Sequence, residues 1–355
     1  MDAQLLINIA QILILGILLL VIVNLYLVVK LKDIDPFRKW DPNSINGALF
    51  VLFGVIGMVV AGVAAFRWYD LMILVKDPAS LHGEDIDRMF WNTMLVSIFV
   101  VVLTNSLLFF YAWYYRGRPG RKALYYPDND RLEMIWTAVP AVVLILLIGD
   151  GIRTWHMIFK DVPENAIEVE LNGKQFDWTI RYPGDDDEYG YTSVEYIDDA
   201  QGNTIGFNFE DPKAHDDIVT TEIHLPVGVP VNFTIKSRDV LHSATLPHFR
   251  MKMDAVPGMA TSFWLTPTKT TEEMREITGN PEFNYEMSCQ QICGGGHWNM
   301  RRVIIVESEE SYKQWLDSQK PFYATWKENY GPIDGTPEKN LAEEEAEEQK
   351  ALSMN

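Results

Sequence analysis

Four long stretches of this chain carry no charged side chain, at residues 3–29, 42–66, 89–115 and 134–149. Leu, Ile and Val dominate them, and the first three are long enough to cross a bilayer as helices. The fourth has 16 residues and includes Pro140. At the rise of a helix it reaches about 24 Å, so it is expected to run on past Asp150 and Arg153 or to let them snorkel. From residue 167 the pattern becomes short alternating segments: 167–171, 176–182, 219–225, 229–235, 261–265, 283–287 and 303–306 read as strands. Pro and Gly at 183–184, 226–230 and 257–258 punctuate them. Many short strands without long intervening helices indicate a β-sandwich or Greek-key barrel. An amphipathic helix over 309–318 closes it. Residues 184–217 hold eleven acids and no clear strand, and read as an exposed insertion. The Glu-rich run at 343–348 reads as a solvated tail. The expected domains are an N-terminal transmembrane pair (1–66), a transmembrane hairpin with its preceding outer loop (67–160), a β domain (161–320) and an acidic tail (321–355).

Charge divides the chain the same way. Residues 1–160 contain 14 Lys+Arg and 13 Asp+Glu, whereas 161–355 contain 16 and 36, a net of −20. Such a surface repels nucleic acid and anionic membranes and attracts basic partners. The first apolar run lacks a positive n-region and a cleavage site, and is too long for a signal peptide, so it reads as an anchor. Lys30, Lys32, Arg38 and Lys39 follow the first span, and Arg116, Arg118, Arg121, Lys122 and Arg131 follow the third. Both basic loops therefore face the cytoplasm, and everything after residue 159 lies outside.

The outer domain holds the chain's two cysteines, in Cys289-Gln290-Gln291-Ile292-Cys293-Gly294-Gly295-Gly296-His297-Trp298-Asn299-Met300. Two thiolates, an imidazole and a thioether form a soft ligand set that suits copper. The three glycines allow a tight fold. A disulfide gives no reason for His297 and Met300 at these spacings. Structural zinc wants four Cys or His ligands, and an iron–sulfur cluster wants more cysteines. Two cysteines exceed the need of a mononuclear blue-copper site, so two ions are a natural reading, with a further histidine from elsewhere. His242, just after a strand, fits better than its rival His248; His215 and His224 read as surface residues. At the start of the fourth span, Glu133 is either a first-turn acid favoured by the helix dipole or the mouth of a proton path in a partner subunit.

These residues resemble subunit II of a haem–copper cytochrome c oxidase, from about the third span to residue 320. Cys289-x3-Cys293-x3-His297-x2-Met300 matches the family's binuclear copper (CuA) loop, and Asp239-Val240-Leu241-His242-Ser243 the segment supplying the first histidine. Lys252-x-Asp254-Ala255-Val256-Pro257-Gly258 matches the turn after it, and Glu133-x2-Trp136-Thr137-x2-Pro140 the start of the hairpin's second helix. The resemblance implies transmembrane helices, the last two a hairpin, followed by a cupredoxin-like barrel. It implies that Cys289 and Cys293 bridge two copper ions, that His242 and His297 each take one, that Met300 is a weak ligand and that Gln291 lends its backbone carbonyl. The family more often has glutamate at 291, whose carboxylate helps bind magnesium at the boundary with subunit I; Gln291 leaves that ion open. The electron-entry run appears as Gln175-Phe176-Asp177-Trp178, with Phe176 in place of the usual first tryptophan. Trp178 is either an alternative entry or a core residue.

The function implied is electron relay in a bacterial terminal oxidase. Electrons come from a c-type cytochrome, diffusing or docked within a larger complex. They pass to a haem-bearing subunit I that reduces oxygen and translocates protons. The copper domain lies on the periplasmic side of the inner membrane, with lipid and other oxidase subunits around the helices. The alternatives are the copper subunit of a nitric-oxide reductase-type enzyme and a membrane-anchored copper-delivery protein. A quinol oxidase subunit would lack the ligands.

Overall fold

The computed structural model describes residues 16–17, 19–30, 41–73 and 76–330. About half of the first predicted span lies outside them; its described part includes an apolar helix, α1 (Leu19–Lys30). Three described helices are long and apolar enough to span a membrane: α2 (Pro42–Trp68), α3 (Leu81–Tyr114) and α4 (Asp130–Ile158). Asp41 caps α2 by accepting the Ser44 N–H at 3.0 Å, with proline in the first turn. Within this unit α2 meets α3 where Gly54 leaves room for Phe109; a Cβ there would sit 2.3 Å from the ring. The helix α4 does run past Asp150 and Arg153, and Arg88 neutralises Asp150 at 3.0 Å.

The second unit comprises residues 70–93 and everything described from 138 onward. Two five-stranded sheets make a cupredoxin-like sandwich. The strands are β1 (Ile167–Lys174), β2 (Asp177–Tyr182), β3 (Ile218–Thr220), β4 (Ile223–Pro226), β5 (Val231–Ser237), β6 (His242–Leu246), β7 (Met251–Ala255), β8 (Thr261–Leu265), β9 (Tyr285–Cys289) and β10 (Arg301–Glu307). One sheet runs β3-β2-β1-β5-β8 and the other β4-β10-β9-β6-β7. Alternation sets the inner faces: in β5, Val231, Phe233 and Ile235 are buried and their neighbours are not. Each such side chain contributes about 1.5–3 kcal/mol by burial. The short helices are α5 (Thr271–Thr278), α6 (Glu309–Ser318) and α7 (Phe322–Tyr330). The expected helix over 309–318 coincides with α6.

Several expectations need correction. The span expected at 219–225 is two strands, β3 and β4, broken at 221–222. Strands β6 and β7 and helix α5 were not anticipated, and α3 begins eight residues before the expected span. Residues 70–93, which hold the outer loop expected before the hairpin, pack with the sandwich: Arg250 grips Asp87 at 2.7 Å, and Ser80 donates to the Phe249 carbonyl at 2.7 Å. His224 is not a surface residue; it is buried, bonded to Glu307 at 2.8 Å and stacked on Trp315.

The acidic insertion is folded. Phe207, Phe209 and Ala214 form a small core with Trp326 of α7, a helix that falls inside the expected tail. Arg181 of β2 ties this lobe to the sandwich. Its guanidinium is buried, donates to Asp217 (2.6 Å) and the Gly190 carbonyl (2.6 Å), and lies over the Tyr189 and Phe207 rings. Burial, opposed by Arg181, holds the Asp217 carboxyl up at about 6.

Candidate metal centre

Strand β9 ends at Cys289 and β10 begins just after Met300, and a main-chain bond from the Cys289 N–H to the Met300 carbonyl (3.0 Å) closes the loop between them. Inside it Gly294 adopts φ +137°, open to glycine alone, and the chain then tightens into a single turn at His297–Asn299. A Cβ on Gly294 or Gly296 would strike Phe176, at 2.8 and 2.4 Å. Gln175 binds the loop from the same turn, donating its side-chain amide to the Cys293 carbonyl.

Strand β6 lies beside β9, with Ala244 opposite Cys289, so its first residue, His242, reaches the loop. Both cysteines are free thiols and buried. The His242 Nδ1 lies 3.9 Å from the Cys289 Sγ, and the His297 Nδ1 3.6 Å from the Cys293 Sγ. The Met300 Sδ sits 3.3 Å from Cys293, and the Gln291 carbonyl oxygen 3.3 Å from the Cys289 sulfur. A nitrogen and a sulfur bound to one first-row ion at tetrahedral angles stand about 3.5 Å apart. The His297 pair at 3.6 Å matches and the His242 pair at 3.9 Å is slightly longer, so the donor set fits a soft metal with small side-chain adjustment. Ligand atoms of His242, Cys289 and Cys293 fall within 4.8 Å of one another. Burial, then the neighbouring Cys289, pushes the Cys293 thiol up to about 11.

Asp239 orients the first histidine. It accepts from His242 Nε2 at 2.8 Å, which leaves Nδ1 as the lone-pair donor toward the sulfurs. It also accepts the Gln175 and Val240 N–H groups, each at 2.7 Å. Burial acts against its charge, but those hydrogen bonds outweigh it and the carboxyl sits below its ordinary range. Sequence reading named Asp239 only as part of a motif; its role emerges from the fold.

The remaining candidates separate. His248 stands away from the thiols, edge-on to Phe283 and Tyr285, and burial lowers its pKa. Trp178 is fully buried, 5.8 Å from the His242 ring. Phe176 is half-exposed against the loop glycines. Glu133 is an exposed first-turn residue of α4.

Comparison with known proteins accounts for this arrangement. The family description "Cytochrome C oxidase subunit II, transmembrane domain" matches residues 66–149, and "Cytochrome C oxidase subunit II, periplasmic domain" matches 167–308. The alternative cytochrome c oxidase subunit 2 of Bradyrhizobium diazoefficiens is 33% identical over 277 residues, covering 78% of this chain and 92% of that protein. The chain belongs to the cytochrome c oxidase subunit II family. The cytochrome c oxidase subunit 2 of Cereibacter sphaeroides is 27% identical over 291 residues, 75% of this chain and 89% of that one. A crystal structure of the periplasmic domain of subunit II of cytochrome oxidase of Bradyrhizobium japonicum is 22% identical, covers 44% of this chain and 96% of that one, and gives a TM-score of 0.31. As a member of this family the chain is an electron-transfer subunit of a terminal oxidase, an oxidoreductase complex. It is an inner-membrane protein with a copper-binding domain outside, and it works with other oxidase subunits. Neither a nitric-oxide reductase subunit nor a copper-delivery protein is favoured.

Proposed function

We propose that the centre is binuclear CuA. Cys289 and Cys293 would share two copper ions, His242 and His297 would each hold one of them, and Met300 and the Gln291 carbonyl would serve as weak ligands. The observation that carries this reading is the number of donors. Besides the two thiols, His242 and the Gln291 carbonyl stand at Cys289 and His297 and Met300 at Cys293, six donors in all and more than one soft four-coordinate ion takes. When bound, the shared thiolates spread one electron over two ions, so geometry changes little on reduction. The protein's part is to hold the donors rigid between two strands and to keep water from the buried sulfurs.

In this reading a c-type cytochrome delivers electrons near the half-exposed Phe176, and the haem-bearing subunit I receives them for reduction of oxygen coupled to proton translocation. The buried Trp178 supports the His242 ring and is not the entry point. Net charge of −20 on residues 161–355 favours approach of a basic donor, so the association rate falls with salt. Lipid surrounds the apolar helices. We assign Glu133 a helix-end role, with the proton path in the partner subunit, and we assign no magnesium to Gln291. The proposed boundaries keep 1–66 as an added transmembrane segment and 161–320 as the copper domain, now with α7 attached.

The test is metal content and electron paramagnetic resonance on the purified full chain loaded with copper. Two coppers per chain sharing one unpaired electron are expected. One copper, or preference for zinc, overturns the assignment. Replacing His242 by asparagine should abolish the shared-electron spectrum, and the same change at His248 should leave it.

A further inference from the structure

A pocket opens where the folded insertion lies over the outer face of the β3-β2-β1-β5-β8 sheet. It encloses about 290 Å³, close to the lower end of the range for small-molecule sites. Its floor is the end of β1 and β5, its roof is residues 192–197 and 204–205 of the insertion, and the β7–β8 turn closes one side. Alternation sets the chemistry of the floor. Val169 and Leu171 of β1, and Phe233 and Ile235 of β5, face the core, so Lys174 and Lys236 stand on the outer face, with Arg238 just past the strand end. Three lining residues, Lys174, Lys236 and Arg238, are basic and none is acidic, in a part of the chain where acids outnumber bases 36 to 16. Thr179, Thr192 and Ser193 add hydroxyls, and Val194 and Ile197 make part of the wall apolar.

The chain itself shows which group this floor takes. Arg238 forks onto the Asp199 carboxylate at 2.7 and 2.5 Å, and the Lys174 ammonium stands 4.0 Å from the same group. Asp199 comes from the insertion and is more than half exposed, so it is a tethered carboxylate seated in a guanidinium cradle at the rim. Lys236 reaches the buried Glu170 at 2.6 Å, but Glu170 also accepts from Asn172 and faces Arg181, so it is shared between two cations. Positive charge is thus left over inside the pocket. Residues two apart on a strand are about 7 Å apart, so one short ligand can span Lys236 and Arg238. A compact inorganic anion would leave the apolar wall bare, whereas a carbon chain with an acid at each end uses both features.

We propose that this pocket binds a small aliphatic di- or tricarboxylate. One carboxylate takes the place of Asp199 on Arg238 and Lys174, a second meets Lys236 and the hydroxyls, and the carbon chain lies against Val194 and Ile197. Asp199 is then a built-in competitor for the same fork. The site is separate from the metal centre but adjoins it through the chain. Arg238 donates its N–H to the Gly173 carbonyl at 2.9 Å and precedes Asp239, the carboxylate that holds His242. The inference does not depend on the copper reading.

The test is calorimetric titration of the purified full chain in detergent, with succinate and tricarballylate as probes and inorganic phosphate as the control. Saturable binding of one probe molecule per chain is expected, with a Kd of about 1 mM or tighter. Arg238→Gln and Lys174→Gln should each weaken it about fivefold or more. Asp199→Asn should tighten it about threefold or more, because the competitor for the fork is gone. Ile197→Trp, which fills the cavity, should abolish it. Circular dichroism checks that each variant is folded, and the gain expected of Asp199→Asn cannot be imitated by misfolding. Absence of saturable binding up to about 10 mM in both wild type and Asp199→Asn overturns the proposal. So does phosphate binding as tightly as the two carboxylates, since the site would then be charge attraction alone. Binding that none of the substitutions changes also overturns it, because the probe would sit elsewhere on the chain.

Discussion

Replacing Asp239 by alanine removes one carboxylate that accepts from the His242 ring and from the Gln175 and Val240 N–H groups, at 2.7–2.8 Å. Two effects follow, and they separate by measurement. The first is on the metal. Without its acceptor, His242 Nε2 no longer has to carry the proton, so a share of the neutral rings holds it on Nδ1, the atom that faces Cys289. Loss of such a partner lowers metal affinity about 10- to 100-fold, or about 1.4–2.7 kcal/mol. The second effect is on the fold. Hydrogen bonds to a charged acceptor contribute about 1.5–3 kcal/mol each when buried. The Gln175 and Val240 sites are exposed and regain water, so the net loss should be near 1–2 kcal/mol. Copper affinity is read by competition with a chelator, and stability by chemical unfolding of the metal-free chain. Asp239→Asn retains an acceptor and should fall between wild type and alanine. Copper affinity within twofold of wild type for Asp239→Ala would refute the reasoning, since His242 would then not be held through this carboxylate.

Three further outcomes are expected. Gly296→Ala places a Cβ 2.4 Å from Phe176 and should cost about 1–3 kcal/mol in thermal unfolding, with recovery in the Phe176→Ala double variant. Asp217 stands at about 6 in the fold against about 4 unfolded, so the fold binds the extra proton between those values. Stability from this group is therefore greatest at the acid end and is lost as pH rises through about 6; melting curves of Asp217→Asn should lack that slope. Gln291→Glu should leave the copper resonance spectrum unchanged, because it is the backbone carbonyl that stands 3.3 Å from Cys289.

The metal loop was legible because its donors are contiguous and its glycines announce a tight turn. The first histidine was only a preference until the pairing of β6 with β9 put His242, and not His248, beside Cys289. Strand β6 escaped the alternation test because all five of its residues are buried, and β7 because Met, Lys and Asp are weak strand signals. The Thr270–Glu273 capping box and Gly279 that frame α5 were readable and were passed over. The insertion misled for a different reason. Its anchor, Arg181, and the α7 side of its core, Trp326 with Phe322 and Tyr323, come from other parts of the chain, and no local pattern displays such partners.

One feature of the ligand loop bears on how such a centre can diversify. Cys289 and Met300 are joined by a single main-chain bond where β9 meets β10, and the strand register beyond it is fixed by Ser288 opposite Arg301. Residues 290–299 can therefore change, outside the Gln290 and Cys293 main-chain contacts and the glycines under Phe176, while the scaffold keeps its alignment. The segment is in effect an exchangeable cassette, and the metal chemistry it confers can vary without the barrel having to be redesigned.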